Sequence, residues 1–278
     1  MVIHNVWVFT KKSGISLCSK QYGTVEVDES LFSGFLSSIN TLAESEFDQK
    51  GVESIVMGNY KFMYEGFAGI VFTAASDITD SDKELKDFLI EIRKQFFDNF
   101  SNQPWERYLK ELAKSGNVEL FEQFKSPLDF EVKIYSERRE KELKDKKTLV
   151  EIYDNLINIF FLKIIAFSEV LDEDFATPLS KVIKDIIKNI EALNKISIAW
   201  DGISFASVEL EKIPIDELKP LLHKMLEKLI IEGYSLIGQK PVNKIISQLN
   251  PTLAMQLDEI RDLGICYNVL QLLLKSSY

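Results

Sequence analysis

Histidine and cysteine are scarce, with 2 of each in 278 residues. Cys18 and Cys266 lie far apart, each in an apolar stretch, as expected of buried, reduced thiols in a cytosolic protein. So few ligands exclude a Cys-rich zinc module, a multi-histidine metal site and a disulfide framework. His4 stands between Val2 and Val6, and His223 lies in a helical run. Both read as hydrogen-bonded structural histidines. The 12 glycines are scattered, so no glycine-rich loop precedes a helix to cradle phosphates. The chain is therefore not expected to be a GTPase itself. A Gly-x-Ser-x-Gly elbow is lacking, and neither cysteine has a nearby base. No cofactor, metal or catalytic residue is expected. Long apolar runs are missing too. The greasiest segment, residues 152–171, is broken by Asp154, Asn155, Asn158, Lys163 and Glu169, and reads as a core helix. The chain opens on strand-like sequence, so no signal peptide is expected. Basic excess is also absent: 33 Lys and Arg face 43 Asp and Glu, a net charge of −10 that disfavours nucleic acid.

What remains is an ordinary globular composition, 46% apolar and 27% charged, long enough for one large domain or two. Residues 2–10 are apolar on both faces, Val2, Val6 and Val8 on one and Ile3, Trp7 and Phe9 on the other. This predicts a central strand covered on both sides. Lys11-Lys12-Ser13-Gly14 reads as a hairpin turn into a second strand over 15–22. A helix follows, with Leu31, Phe35, Ile39 and Leu42 as the face laid on the sheet. Phe32, Leu36 and Ala43 widen that face, and Ser33, Ser37 and Ser38 are expected largely on the solvent side. Residues 51–75 read as a three-stranded antiparallel meander turning at Gly58-Asn59 and at Glu65-Gly66. A helix capped by Asp80 or Ser81 then presents Leu85, Phe88, Leu89, Ile92, Phe96 and Phe100. The acids from Asp77 to Asp82 are read as helix-terminus charge rather than a calcium loop. Pro104 opens a third helix.

Residues 131–147 mark a shift: 12 of 17 are charged, five acids against seven bases, with no Gly or Pro. This predicts a solvated bridging helix. From Thr148 onward the pattern is helical, apart from an ambiguous stretch between Lys195 and Ile213. Pro178, Pro214, Pro220, Pro241 and Pro251 are expected at or near helix starts. The expected fold class is α+β: a five-stranded antiparallel sheet with flanking helices over 1–127, a charged bridge over 128–147, and an all-α domain over 148–278.

The element order strand, strand, helix, three strands, helix, helix resembles the longin domain and its roadblock-type cousins. The likeness rests on the opening strand pair, the helix around Leu31-Phe32-Ser33-Gly34-Phe35-Leu36, the meander with Gly58-Asn59-Tyr60-Lys61-Phe62, and the strand from Gly69 to Asp77. It covers somewhat under half the chain. It implies a non-enzymatic, cytoplasmic scaffold or regulator for a small GTPase or a trafficking-type complex. The partner would be a GTPase or another longin/roadblock-like subunit, in a homo- or heterodimer, with membranes reached only peripherally through partners. A direct SNARE role is not expected, because neither a long heptad segment nor a terminal membrane anchor is expected after the domain. The resemblance also implies a partner groove between the first helix and the third strand, at Phe32, Leu36, Val56 and Met57. Tyr64 and Phe67, at the expected meander tip, are added as exposed aromatics. The same element order admits a PAS- or GAF-like small-molecule sensor with a helical output domain. A carboxylate enzyme is a third reading, although no spacing of acids demands it.

Overall fold

In the computed structural model, β1 (Asn5–Thr10) is buried along its whole length, as its two apolar faces require. Residues 3–24, 29–46, 52–167, 173–188, 193, 195–199 and 202–275 are described. The chain divides into two units, Met1–Glu140 and Lys141–Tyr278.

In the first unit, β2 (Ser16–Gln21), β3 (Ser54–Met57), β4 (Tyr60–Phe67) and β5 (Ile70–Asp77) join β1 in an antiparallel sheet of order β2-β1-β5-β4-β3. Strand alternation sorts the side chains into two cores. Val6, Val8, Met63 and Phe72 lie in one core, together with Leu85, Leu89, Ile92 and Phe96 of α2 (Asp82–Asn99). Trp7, Phe9, Phe62 and Tyr64 lie in the other, with Leu36 of α1 (Glu29–Glu46). Ile3, expected beside Trp7, joins Val6 and Val8 instead, because the strand begins only at Asn5. The α2 side is thickened by α3 (Trp105–Ser115), a 3-10 turn at Glu119–Phe124 and Leu128, Val132 and Tyr135 of α4 (Lys125–Phe167). Rings of Phe96, Phe100, Trp105, Tyr108 and Phe121 meet there at centroid distances of 4.9 to 6.3 Å.

The expected turn at Glu65-Gly66 is corrected. Both residues are inside β4, paired with Phe72 and Val71, and the chain turns at Ala68-Gly69. There φ is 50° at Ala68 and 81° at Gly69, the paired left-handed values that match hairpin twist. The expected face of α2 is buried as read, and Ser81 holds its N-cap position without a side-chain cap bond.

In α4 the charged and apolar stretches are one continuous helix of 43 residues. Its proline, Pro127, sits in the first turn, where an amide hydrogen has no partner to lose. In the second unit, Leu149, Ile152, Leu156, Phe160 and Ile164 of α4 form a core with α5 (Glu173–Ile187) and α6 (Ile215–Ile237). Four shorter helices complete it: α7 (Gln239–Ser247), α8 (Asn250–Met255), α9 (Leu257–Asp262) and α10 (Cys266–Lys275). The α+β class therefore holds, and the described part of the second half is helical but for one hairpin, β6 (Ser197–Ala199) with β7 (Gly202–Ser204), inside the ambiguous stretch. Pro178 and Pro220 lie inside α5 and α6 rather than at their starts. Each is the sixth residue of its helix, past the first turn, so each forgoes one i→i−4 backbone bond.

Candidate functional site

The face of α1 that meets the sheet is not the one its large apolar residues suggest. Ser33 and Ser37 are buried with Leu36, while Leu31, Phe35 and Leu42 are 74, 45 and 53% exposed. The cause is close approach. A Cβ added at Gly14, in the β1–β2 turn, would meet the Gly34 Cα at 3.1 Å and the Ser37 Cβ at 3.2 Å. Only small residues fit that seat. The Ser37 hydroxyl then donates to the Lys11 carbonyl at 2.8 Å, so its burial leaves no unmet hydrogen bond.

Rotating the helix this way turns Leu31, Phe35, Ser38, Leu42 and Ser45 outward at spacings of four and three, the repeat of a helix-packing seam. The hydroxyls of Ser38, Thr41 and Ser45 donate to the helix's own carbonyls of Gly34, Ser37 and Leu42. The seam therefore offers few polar hydrogens to water, and its described outward side chains carry no charge.

The six residues expected to bind a partner, four at the groove and two at the meander tip, separate. Phe32 and Met57 pack half-buried on the α1 side of the sheet, with the Phe32 ring 4.7 Å from Trp7 and 5.2 Å from Phe62. Leu36 and Tyr64 lie on the same side but are buried, so neither presents a surface. Val56 is exposed on the opposite face of the sheet, since successive strand residues point opposite ways. Phe67 is also on that opposite face, half-exposed, with its ring 5.3 Å from Phe97 and 5.0 Å from the Arg93 guanidinium. Phe32, Leu36, Met57 and Tyr64 thus share the α1 side of the sheet, two of them buried; Val56 and Phe67 do not. The outward seam was hidden because its spacing is visible in the sequence but its direction is not.

Beneath α1 a row of buried polar groups crosses the sheet. Trp7 is opposite Thr73, and Thr73 is opposite Tyr64. The Trp7 Nε1, Thr73 Oγ1 and Tyr64 hydroxyl have no hydrogen-bond partner among the described residues. Burial pushes the Tyr64 pKa well above the usual phenol range. At the far end of β5, His4 Nε2 lies 3.1 Å from Asp77 Oδ1. Asp80, 4% exposed, has its carboxyl pushed up to about 6 by burial and by the Asp77 charge, with Arg139 opposing. Lys61 donates to the Asp80 carbonyl at 2.6 Å, and to the Asp82 carboxylate.

Among the described residues no helix is long and apolar enough to cross a membrane. No family model and no curated protein sequence matches the chain. One structural match is a chain in a homology model of the full-length AP-3 complex in a stretched open conformation. It is 16% identical, covers 49% of this chain and 99% of that one, and has a TM-score of 0.30. A likeness that loose carries no argument about function.

Proposed function

We propose that the chain is a non-enzymatic, protein-binding scaffold or regulator, serving a small GTPase or a trafficking-type complex. Docking uses the outward seam of α1. The observation that carries this reading is the exposure of Leu31, Phe35 and Leu42 at helix-packing spacing, on a face whose described side chains carry no charge. A seam with that repeat accepts an amphipathic helix laid along it, anchored by apolar residues of its own. Phe32 supports the seam from below by packing on Trp7 and Phe62. Its ring is also 6.1 Å from that of Phe35, which links the outward face to the sheet.

The test is titration calorimetry of the full chain against small GTPases in both nucleotide states and against longin- or roadblock-type subunits. The double variant Leu31→Ser/Phe35→Ser is the probe. Both side chains are already outward, so folding is preserved and affinity falls by at least about tenfold, as for loss of central apolar anchors. A partner that binds the variant unchanged removes the seam from the reading. A panel with no binder in either state removes the reading itself.

A further inference from the structure

The second unit holds a cavity of about 430 Å³ that is independent of α1. This is within the range of small-ligand sites. One wall is a single face of α4, where Lys147, Val150, Glu151 and Asp154 follow helical spacing. The other is β7 and the chain after it, as far as Glu211. The two walls are joined by Asn158, whose amide forms a two-way clamp on the Ile203 backbone. Its Oδ1 accepts from the Ile203 N–H at 2.7 Å, and its Nδ2 donates to the Ile203 carbonyl at 2.8 Å. The same Nδ2 donates to Asp154 at 2.9 Å, which fixes the amide's orientation. Gly202, with φ of 145°, is required beside the clamp, because a Cβ there would meet Asn158 Oδ1 at 2.9 Å. Asn158 therefore ties the two walls together at Ile203.

Its lining has two characters. Val150, Ile203, Phe205 and Leu210 give an apolar floor. The rest of the lining includes three carboxylates, Glu151, Asp154 and Glu211, against one cation, Lys147. Glu151 and Glu211 form no ion pair with the described residues, whereas the neighbouring Glu209 is neutralised by Lys195 and Lys212. Half-burial raises the Asp154 pKa, so a cation docked there relieves an unfavourable charge. An anion is repelled. A bare metal ion leaves the apolar floor unused, and the described residues contain no cluster of three metal ligands.

We infer that this cavity binds a small organic cation, a guanidinium or ammonium carried on a short apolar body. The charged head lies within the carboxylate-rich part of the lining, Glu211 included, and the carbon chain lies on Phe205 and Leu210. Such a group reaches the site either as a free small molecule or as an arginine or lysine side chain of a peptide.

The test is calorimetric titration of the full chain with n-butylguanidinium and N-acetyl-argininamide, with n-butanol as the neutral comparator. At least one cation binds with Kd on the order of 1 mM, as its atom count allows, and the alcohol binds at least about tenfold more weakly. Glu211→Lys, at an exposed position where folding is safe, lowers cation affinity by about tenfold or more. Tighter binding of the argininamide assigns the cation to a peptide; tighter binding of butylguanidinium assigns it to a free molecule. Three results each overturn the inference: no cation binding up to about 10 mM, equal binding of the alcohol, or unchanged affinity in Glu211→Lys.

Discussion

Replacing Asp80 with asparagine turns a buried charge into a measurable pH dependence of stability. The carboxyl is 4% exposed, its Oδ2 has no hydrogen-bond partner among the described residues, and Asp77 adds a like charge. Its pKa is pushed up from 3.8 to about 6. Because the folded-state value is the higher one, the unfolded chain releases its proton first as pH rises. Between the two values the native state holds a proton that the unfolded state lacks, so stability falls with rising pH. A rise from 3.8 to about 6, at about 1.36 kcal/mol for each tenfold change in acidity, corresponds to about 3 kcal/mol lost between about pH 3.5 and 7. Arg139, which also donates to Glu84, offsets the shift only in part. Asp80→Asn has no proton to lose. Relative to wild type it therefore gains about 3 kcal/mol across that window, whatever fixed cost the amide adds at every pH. Urea unfolding, followed by hydrogen exchange of β1 and β5 peptides, reads the first unit alone. A difference between the two proteins that stays flat within about 0.5 kcal/mol from about pH 3.5 to 7 refutes the reasoning.

Three further predictions concern packing. Thr73→Val keeps the shape of a fully buried side chain and removes a hydroxyl without a partner among the described residues; a gain of about 1 kcal/mol in urea unfolding is expected. Ala68→Gly relieves a φ of 50° in the β4–β5 turn. It should raise stability by up to about 1 kcal/mol in the same assay, and a loss would deny the strain. Gly233→Ala places a methyl 2.7 Å from Ile164 Cδ1 and 3.2 Å from the Phe160 ring, where α6 crosses α4. The cost is about 1–3 kcal/mol despite alanine's better helix propensity, read as a lower melting temperature of the second unit.

The order of elements along the first unit and the α2 face were legible because period two and period 3.6 each pointed to one answer there. β1 was recognisable as central from Val6, Trp7, Val8 and Phe9 alone. The orientation of α1 was not legible, since the helix has apolar residues on two faces. Which of them turns inward is decided by Ser33, Gly34 and Ser37 against Gly14, a contact between segments some 20 residues apart in the sequence. The turn after β4 was misplaced for a related reason: Gly66 looks like a turn glycine, yet Ala68 takes the left-handed position. The groove residues were chosen by analogy of position, and strand alternation moved Val56 to the other face. The cavity beside β7 had no signal at all, because its walls meet through Asn158, which reads in sequence as one polar residue in a greasy helix.

Trp7 gives the chain an optical gauge of its own. The indole is fully buried, packed under Phe32 of α1, so its emission should be blue-shifted and poorly quenched by acrylamide. A partner that settles on the outside of α1 leaves that emission where it was. A partner that pries the helix from the sheet wets the indole and shifts its emission to the red. With Trp105 and Trp200 replaced by phenylalanine, so that Trp7 alone emits, one fluorescence titration therefore distinguishes a passive dock from a helix that is lifted in use.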